Sequence, residues 1–226
     1  MEDPSRHDEL LARVAARAKE RCAPLRPPVT DDELAAAQET LGFPLHPLLS
    51  RLYREVADGG FGPEYGLFRL SASDGGQPSE TAGPLTAAYL DRRAPDRSDA
   101  GWFWPEGVVP IMTYGCGMLA CVDCRSPWGA VLLFEPNAAE DDWAHAWFVD
   151  SPNLADWLEA SLDGTGWYSD PDADDDWAAA DPAAEPIQPR PWGAQARARG
   201  AAAQPGAVRD LRGCVSGSVE EVVITT

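Results

Sequence analysis

The sequence predicts an α+β fold, and three observations carry that prediction. Two helical patterns come early, at 30–42 and 43–60. Short apolar runs separated by Gly- and Pro-containing turns fill the centre, from 108 to 149. A last helical pattern closes the region near 151–162. Helices are segregated from hairpin-linked strands, which excludes a doubly wound α/β sheet.

Before this region, residues 5–22 predict a helix with Leu10, Leu11, Val14, Ala15 and Ala18 as a modest apolar stripe. The stretch 23–29 holds three prolines and reads as a linker or extended arm. Thr30 then opens a helix. Thr30 and Glu33 form a capping box, in which each side chain can satisfy the other residue's amide. Leu34, Ala37, Gln38 and Leu41 follow at helical spacing, and Gly42 ends the run. In the next helix Pro47 suits the first turn, where its missing N–H costs nothing. Leu48, Leu49, Leu52, Tyr53 and Val56 form its buried stripe, and Gly59 and Gly60 end it.

Leu67–Leu70 predicts a short strand, 71–78 a polar loop, and 79–93 a helix with Leu85, Ala88, Tyr89 and Leu90 inward. Four strands follow. The first, 108–114, contains Pro110, which suggests an edge strand or an entry position. The second is 118–123, and a turn at 125–129 leads to the third, 130–135. That third run is apolar on both faces, as a central strand would be. The fourth is 145–149. Ser151 or Asn153 caps the closing helix, which carries Leu154, Trp157, Leu158 and Leu162.

After Gly164 the composition changes. Residues 163–186 hold eight acids and no Lys or Arg, and 190–212 hold five Arg and one Asp among Ala, Gly and Pro. Such sequence buries too little apolar surface to offset chain entropy, so 165–212 is expected to be mostly disordered. Val222, Val223 and Ile224 either add a strand or stay in the tail. The expected organisation is a helix and Pro-rich linker at 1–29, an α+β domain at 30–163 and a charged tail at 164–226.

The 226-residue chain has a formal net charge of −19. Such a surface repels nucleic acid and anionic membranes. Its acid either keeps the protein in solution or steers it towards a basic partner. No stretch is long and apolar enough for a bilayer, and the N-terminus lacks the apolar core of a secretory signal. The five Cys are odd in number, so reduced thiols and a cytoplasmic location are expected.

Three motifs suggest chemistry. Gly115, Gly117 and Ala120 match the dinucleotide fingerprint, with Glu135 as the ribose acid, but the turn at Ser126 and Pro127 leaves no room for the helix that fingerprint requires. Cys116, Cys121 and Cys124, with distant Cys214, resemble iron–sulfur or zinc spacing, yet Cys121 falls where a strand needs a small hydrophobe. Asp170 to Asp181 half-matches a calcium loop but has Asp175 in place of the required Gly. A Cys121, His145 and Asp150 triad can be drawn on neighbouring elements, with no spacing that singles it out. The reading is therefore of no cofactor, no metal and no catalytic residue. No basic stripe with interleaved aromatics appears in the folded part, which argues against nucleic acid as a partner.

Several segments resemble the SUKH superfamily, which includes the Smi/Knr-type cell-wall assembly regulators and many bacterial immunity proteins. They are Thr30 to Leu34, Leu41 to Leu49, Leu52 and Tyr53, and Asp58 to Pro63. Pro110 and Ile111, Tyr114 to Gly117, Leu119 to Asp123, Pro127, Val131 and the helix from Ser151 to Leu162 agree with it. His46 departs from the pattern, since it stands between Leu45 and Pro47 where the family has Pro directly after Leu. The resemblance covers about 30–163. It implies a mixed, largely antiparallel sheet flanked by helices, no catalysis, and a protein partner. For bacterial relatives that partner is a toxin domain, often a basic nuclease, which the protein binds and neutralises. The alternative is a regulatory or scaffold protein that binds through its charged C-terminal tail. The expected contact residues are Phe61, Tyr65, Trp102, Phe103 and Trp104, with the Trp-Phe-Trp run as an exposed hot spot rimmed by Asp99 and Glu106. The competing assignment for these aromatics is core over the sheet edge.

Overall fold

The structure, a computed structural model, describes residues 4–22, 24–63, 65–70, 84–94, 100–166 and 189–201. Helix α1 (Pro4–Arg21) buries Leu10, Leu11, Val14 and Ala18 in the same core as the strands. Arg6 ties it to the helix Leu154–Asp163, with contacts of 2.5 Å to Asp156 and 2.7 Å to Glu159. The helix expected ahead of the domain is thus packed into it.

Helix α2 (Asp31–Leu41) begins with the expected capping box: Glu33 N donates to Thr30 Oγ1 at 3.2 Å, and Thr30 N donates to Glu33 Oε2 at 2.8 Å. Helix α3 (Pro47–Glu55) starts on Pro47 and buries Leu48, Leu49, Leu52 and Tyr53. Residues 67–70, expected as a strand, join the sheet by one bond only, Phe68 N to Ile111 O at 2.7 Å. The preceding turn takes two of the other amides: Leu67 N donates to Phe61 O at 2.7 Å, and Leu70 N to Asp58 Oδ1 at 2.7 Å. Gly59 permits this fold-back, since at φ +69° a Cβ there would lie 2.6 Å from the Arg69 nitrogen. Helix α4 (Leu85–Arg92) buries Leu85, Thr86 and Tyr89, whereas Leu90, expected inward, is exposed.

The sheet runs in the order β1 (Val108–Gly115), β2 (Met118–Asp123), β3 (Val131–Phe134), β4 (Trp147–Ser151) and β5 (Arg190–Pro191). Every neighbouring pair is antiparallel, so the parallel component of the expected mixed sheet is absent among the described residues. Pro110 lies on the edge strand, the first of the two placements the sequence offered, and β3 is central and fully buried as expected. The fourth strand starts two residues later than expected, because 143–146 form a 3-10 turn in which the Asp142 side chain accepts the Ala144 amide. Asn153, rather than Ser151, caps helix α5 (Leu154–Asp163).

The register assigns the two faces. Leu119, Cys121, Leu132, Phe134, Trp147 and Val149 share one face, through the pairs Leu119↔Phe134, Cys121↔Leu132, Leu132↔Val149 and Phe134↔Trp147. The opposite face carries Asp150, which accepts from Tyr114 Oη at 3.0 Å and from Trp157 Nε1 of α5 at 3.1 Å. No helix among the described residues is long and apolar enough to cross a membrane.

The expectation of a mostly disordered 165–212 is corrected over 189–201. Here β5 pairs with β4, and helix α6 (Gly193–Ala201) packs on the 3-10 turn before it. Trp192 and the fully buried Ala196 supply the apolar contact that average composition hid.

Candidate protein-binding surface

The first face of the sheet is lined with tryptophan. Phe134 and Trp147 project from adjacent strands, with ring centroids 5.0 Å apart. The segment 102–104 lays Trp104 over both, at 5.2 Å from Phe134 and 4.7 Å from Trp147. Trp102 meets Trp143 at 4.7 Å, nearly edge-on. These are the offset and edge-to-face arrangements that aromatic quadrupoles favour.

Of the expected contact residues, Phe61 and Trp104 are buried core, 0% and 2% exposed. This corrects the exposed Trp-Phe-Trp hot spot. Trp104 turns inward because Val108 O accepts its Nε1–H at 2.7 Å, so its polar edge needs no solvent. Trp102 and Phe103 are partly buried against the core, and Trp102 Nε1 donates to Arg92 O at 2.8 Å. Tyr65 alone of the five is largely exposed, beside Gly115 at the β1–β2 turn.

The residues 189–201 form a strap across this face. Trp192 sits 6.2 Å from Trp147, and its amide donates to Trp147 O at 2.8 Å. Arg199 lies 5.6 Å over the Trp192 ring and places Nη1 2.6 Å from Asp123 Oδ1. Arg197 pairs with Asp142. A Cβ on Gly193 would collide with the Ala144 carbonyl, and one on Gly200 with the Phe103 ring. Between the strap and the 136–146 segment a groove of about 530 Å³ opens, lined among others by Glu140, Asp142, His145, Trp147, Phe148 and Arg197. The Ala144 amide, and after it Arg197, hold the Asp142 carboxyl below the usual carboxylate range. Sequence reasoning missed Asp123, Asp142, Trp192, Arg197 and Arg199. One signal was available: Trp192 is a large aromatic in a stretch otherwise built like linker.

The drawn triad does not assemble. Cys121 and Asp150 lie on opposite faces, and His145 is exposed on the 3-10 turn. Gly115 and Gly117 frame a hairpin turn between β1 and β2. Among the described residues, no His, Cys, Asp and Glu set is arranged to hold a metal ion. The half-matched calcium loop lies outside them, as does Cys214.

These features define the class: an α+β domain whose antiparallel sheet packs one face on a helix and the other on tryptophans within an acidic rim. The sequence profile of the SMI1 / KNR4 family (SUKH-1) matches residues 28–160. That is more than half of the chain, and the chain belongs to this family, whose domains are protein-interaction modules. A search of curated proteins finds no match.

Proposed function

We propose that this protein is a non-catalytic binding module of the immunity kind, which holds a basic toxin domain and neutralises it. The observation that carries this reading is where the charge lies. Residues 28–160 hold 21 Asp and Glu against 7 Arg, a net charge of −14 out of the total of −19. The acidity therefore belongs mainly to the folded family domain. A domain of that charge steers a basic partner into encounter and raises the association rate.

The test is coexpression of the full chain with the product of the neighbouring gene. Restored growth and a complex that survives size exclusion are the expected results. Replacing Glu140 and Asp141 on the rim with Gln and Asn should slow association several-fold at low salt and leave dissociation nearly unchanged. Toxicity that the full chain does not relieve would overturn the proposal.

A further inference from the structure

The strap 189–201 lies outside the segment that matches the family, yet it makes specific contacts with the domain. It holds three Arg and no acid, against a domain of net −14. Both helical arginines have acidic partners: Arg197 meets Asp142, and Arg199 meets Asp123, whose side chain is only 5% exposed. The strap also uses backbone, adding two residues to the outer edge of β4 and one further bond from Trp192. We propose that this surface is the docking site for an arginine-bearing segment of the partner, extended where it pairs with β4 and helical where it reaches Asp142 and Asp123. The chain's own strap occupies that site in cis until the partner displaces it. The inference rests on the basic partner proposed above and names the surface that partner uses.

The attachment is built to be exchanged. The β4–β5 ladder is two residues long, and β5 is exposed. Helix α6 has nine residues, below the length at which an isolated helix holds in water. Among its residues from 193 to 200, only Ala196 and Gly200 are buried. Twenty-two residues, 167–188, tether the strap to α5 and Gly164. Such a tether gives an effective concentration in the millimolar range. A competing segment of equal intrinsic affinity then shows an apparent Kd no lower than that concentration. A partner must bind more tightly than the strap does, which sets a threshold against weakly basic proteins.

The probe is a fluorescently labelled synthetic peptide of residues 189–201, titrated by anisotropy against three full-length proteins. The unaltered chain should bind it only with an apparent Kd of about 1 mM or weaker. Arg197→Glu with Arg199→Glu frees the site, and the peptide should then bind at least tenfold more tightly. Trp192→Ala frees it through packing instead of charge and should give the same tightening, so a folding defect of either variant is exposed by the other. Adding Asp142→Asn to the double variant should remove most of the gain. Equal binding by the unaltered and released chains overturns the proposal. So does sedimentation of the unaltered chain as a dimer that the released variants do not form, because the strap's acceptor would then be a second copy. The peptide assay needs no toxin. Tightening without growth rescue overturns the toxin reading alone, and rescue without tightening overturns the strap proposal alone.

Discussion

Trp104 is the residue on which the core and contact assignments of the aromatic run diverge most. It is 2% exposed, lies 4.7 Å from Trp147 and 5.2 Å from Phe134, and donates to Val108 O at 2.7 Å. Truncating a buried Trp to Ala costs about 3–5 kcal/mol. The Val108 carbonyl belongs to a fully buried residue and would lose the Trp104 donor, adding about 1 kcal/mol or more. Small domains have only about 5–15 kcal/mol in total, so Trp104→Ala should leave the fold near its threshold. Trp104→Phe keeps a ring in the cluster but drops the hydrogen bond and part of the volume, for a loss of about 2 kcal/mol. Urea unfolding followed by far-UV circular dichroism measures both, free of the fluorescence change that the substitution itself causes. A Trp104→Ala midpoint that corresponds to less than about 1 kcal/mol, with an unchanged slope, would refute the core assignment.

Two further outcomes follow from burial. The Cys124 thiol is pushed up to about 12 by burial, Cys121 is raised for the same reason, and Cys116 is exposed on the hairpin turn. Iodoacetamide at pH 8 with peptide mass mapping should therefore label Cys116 well before Cys121 or Cys124, and early labelling of Cys121 would contradict the packing. Burial also raises the Asp58 carboxyl above its ordinary 3.8, opposed by the Leu70 amide and Arg26. A carboxyl raised in the folded state contributes stability that is complete below 3.8 and is lost as pH rises through its folded value. Urea midpoints from pH 4 upward should show the unaltered chain losing stability relative to Asp58→Asn, which keeps an acceptor for Leu70 without the charge, and parallel curves would sink this account.

What the sequence revealed was local chemistry with a local answer. The box of Thr30 and Glu33, Pro47 at a helix start, Pro110 on an edge strand and the apolar third strand each need only a few neighbouring residues to be read. The failures share another cause. Residues 67–70 have strand composition, but Phe61 O takes the Leu67 amide and the Asp58 carboxylate takes that of Leu70. Leu90 fits a helical stripe, yet the face that α4 buries is the one with Leu85, Thr86 and Tyr89, and Tyr89 packs on Phe43. Trp104 reads equally as core or contact until Val108 supplies its acceptor. In each case the partner that decides lies on another element, or in backbone that carries no sequence signal.

The strap shows the same division between charge and shape. Charge alone does not explain where its arginines go, because residues 167–188 place seven acids immediately before it and no base among them. Those acids are closer along the chain than Asp123 or Asp142. What the domain offers in addition is a fit. Trp147 lies against Trp192, the Ala144 carbonyl leaves room only for a glycine at 193, and the Phe103 ring leaves room only for one at 200. Long-range attraction is screened within about 8 Å at physiological salt, whereas these contacts act at van der Waals distance and are not. Net charge therefore governs how often a basic segment arrives, and the tryptophan face governs which segment stays. On that basis a partner should be recognised by an aromatic followed, five and seven positions on, by two arginines that leave a short helix towards different acids, more than by its overall basicity.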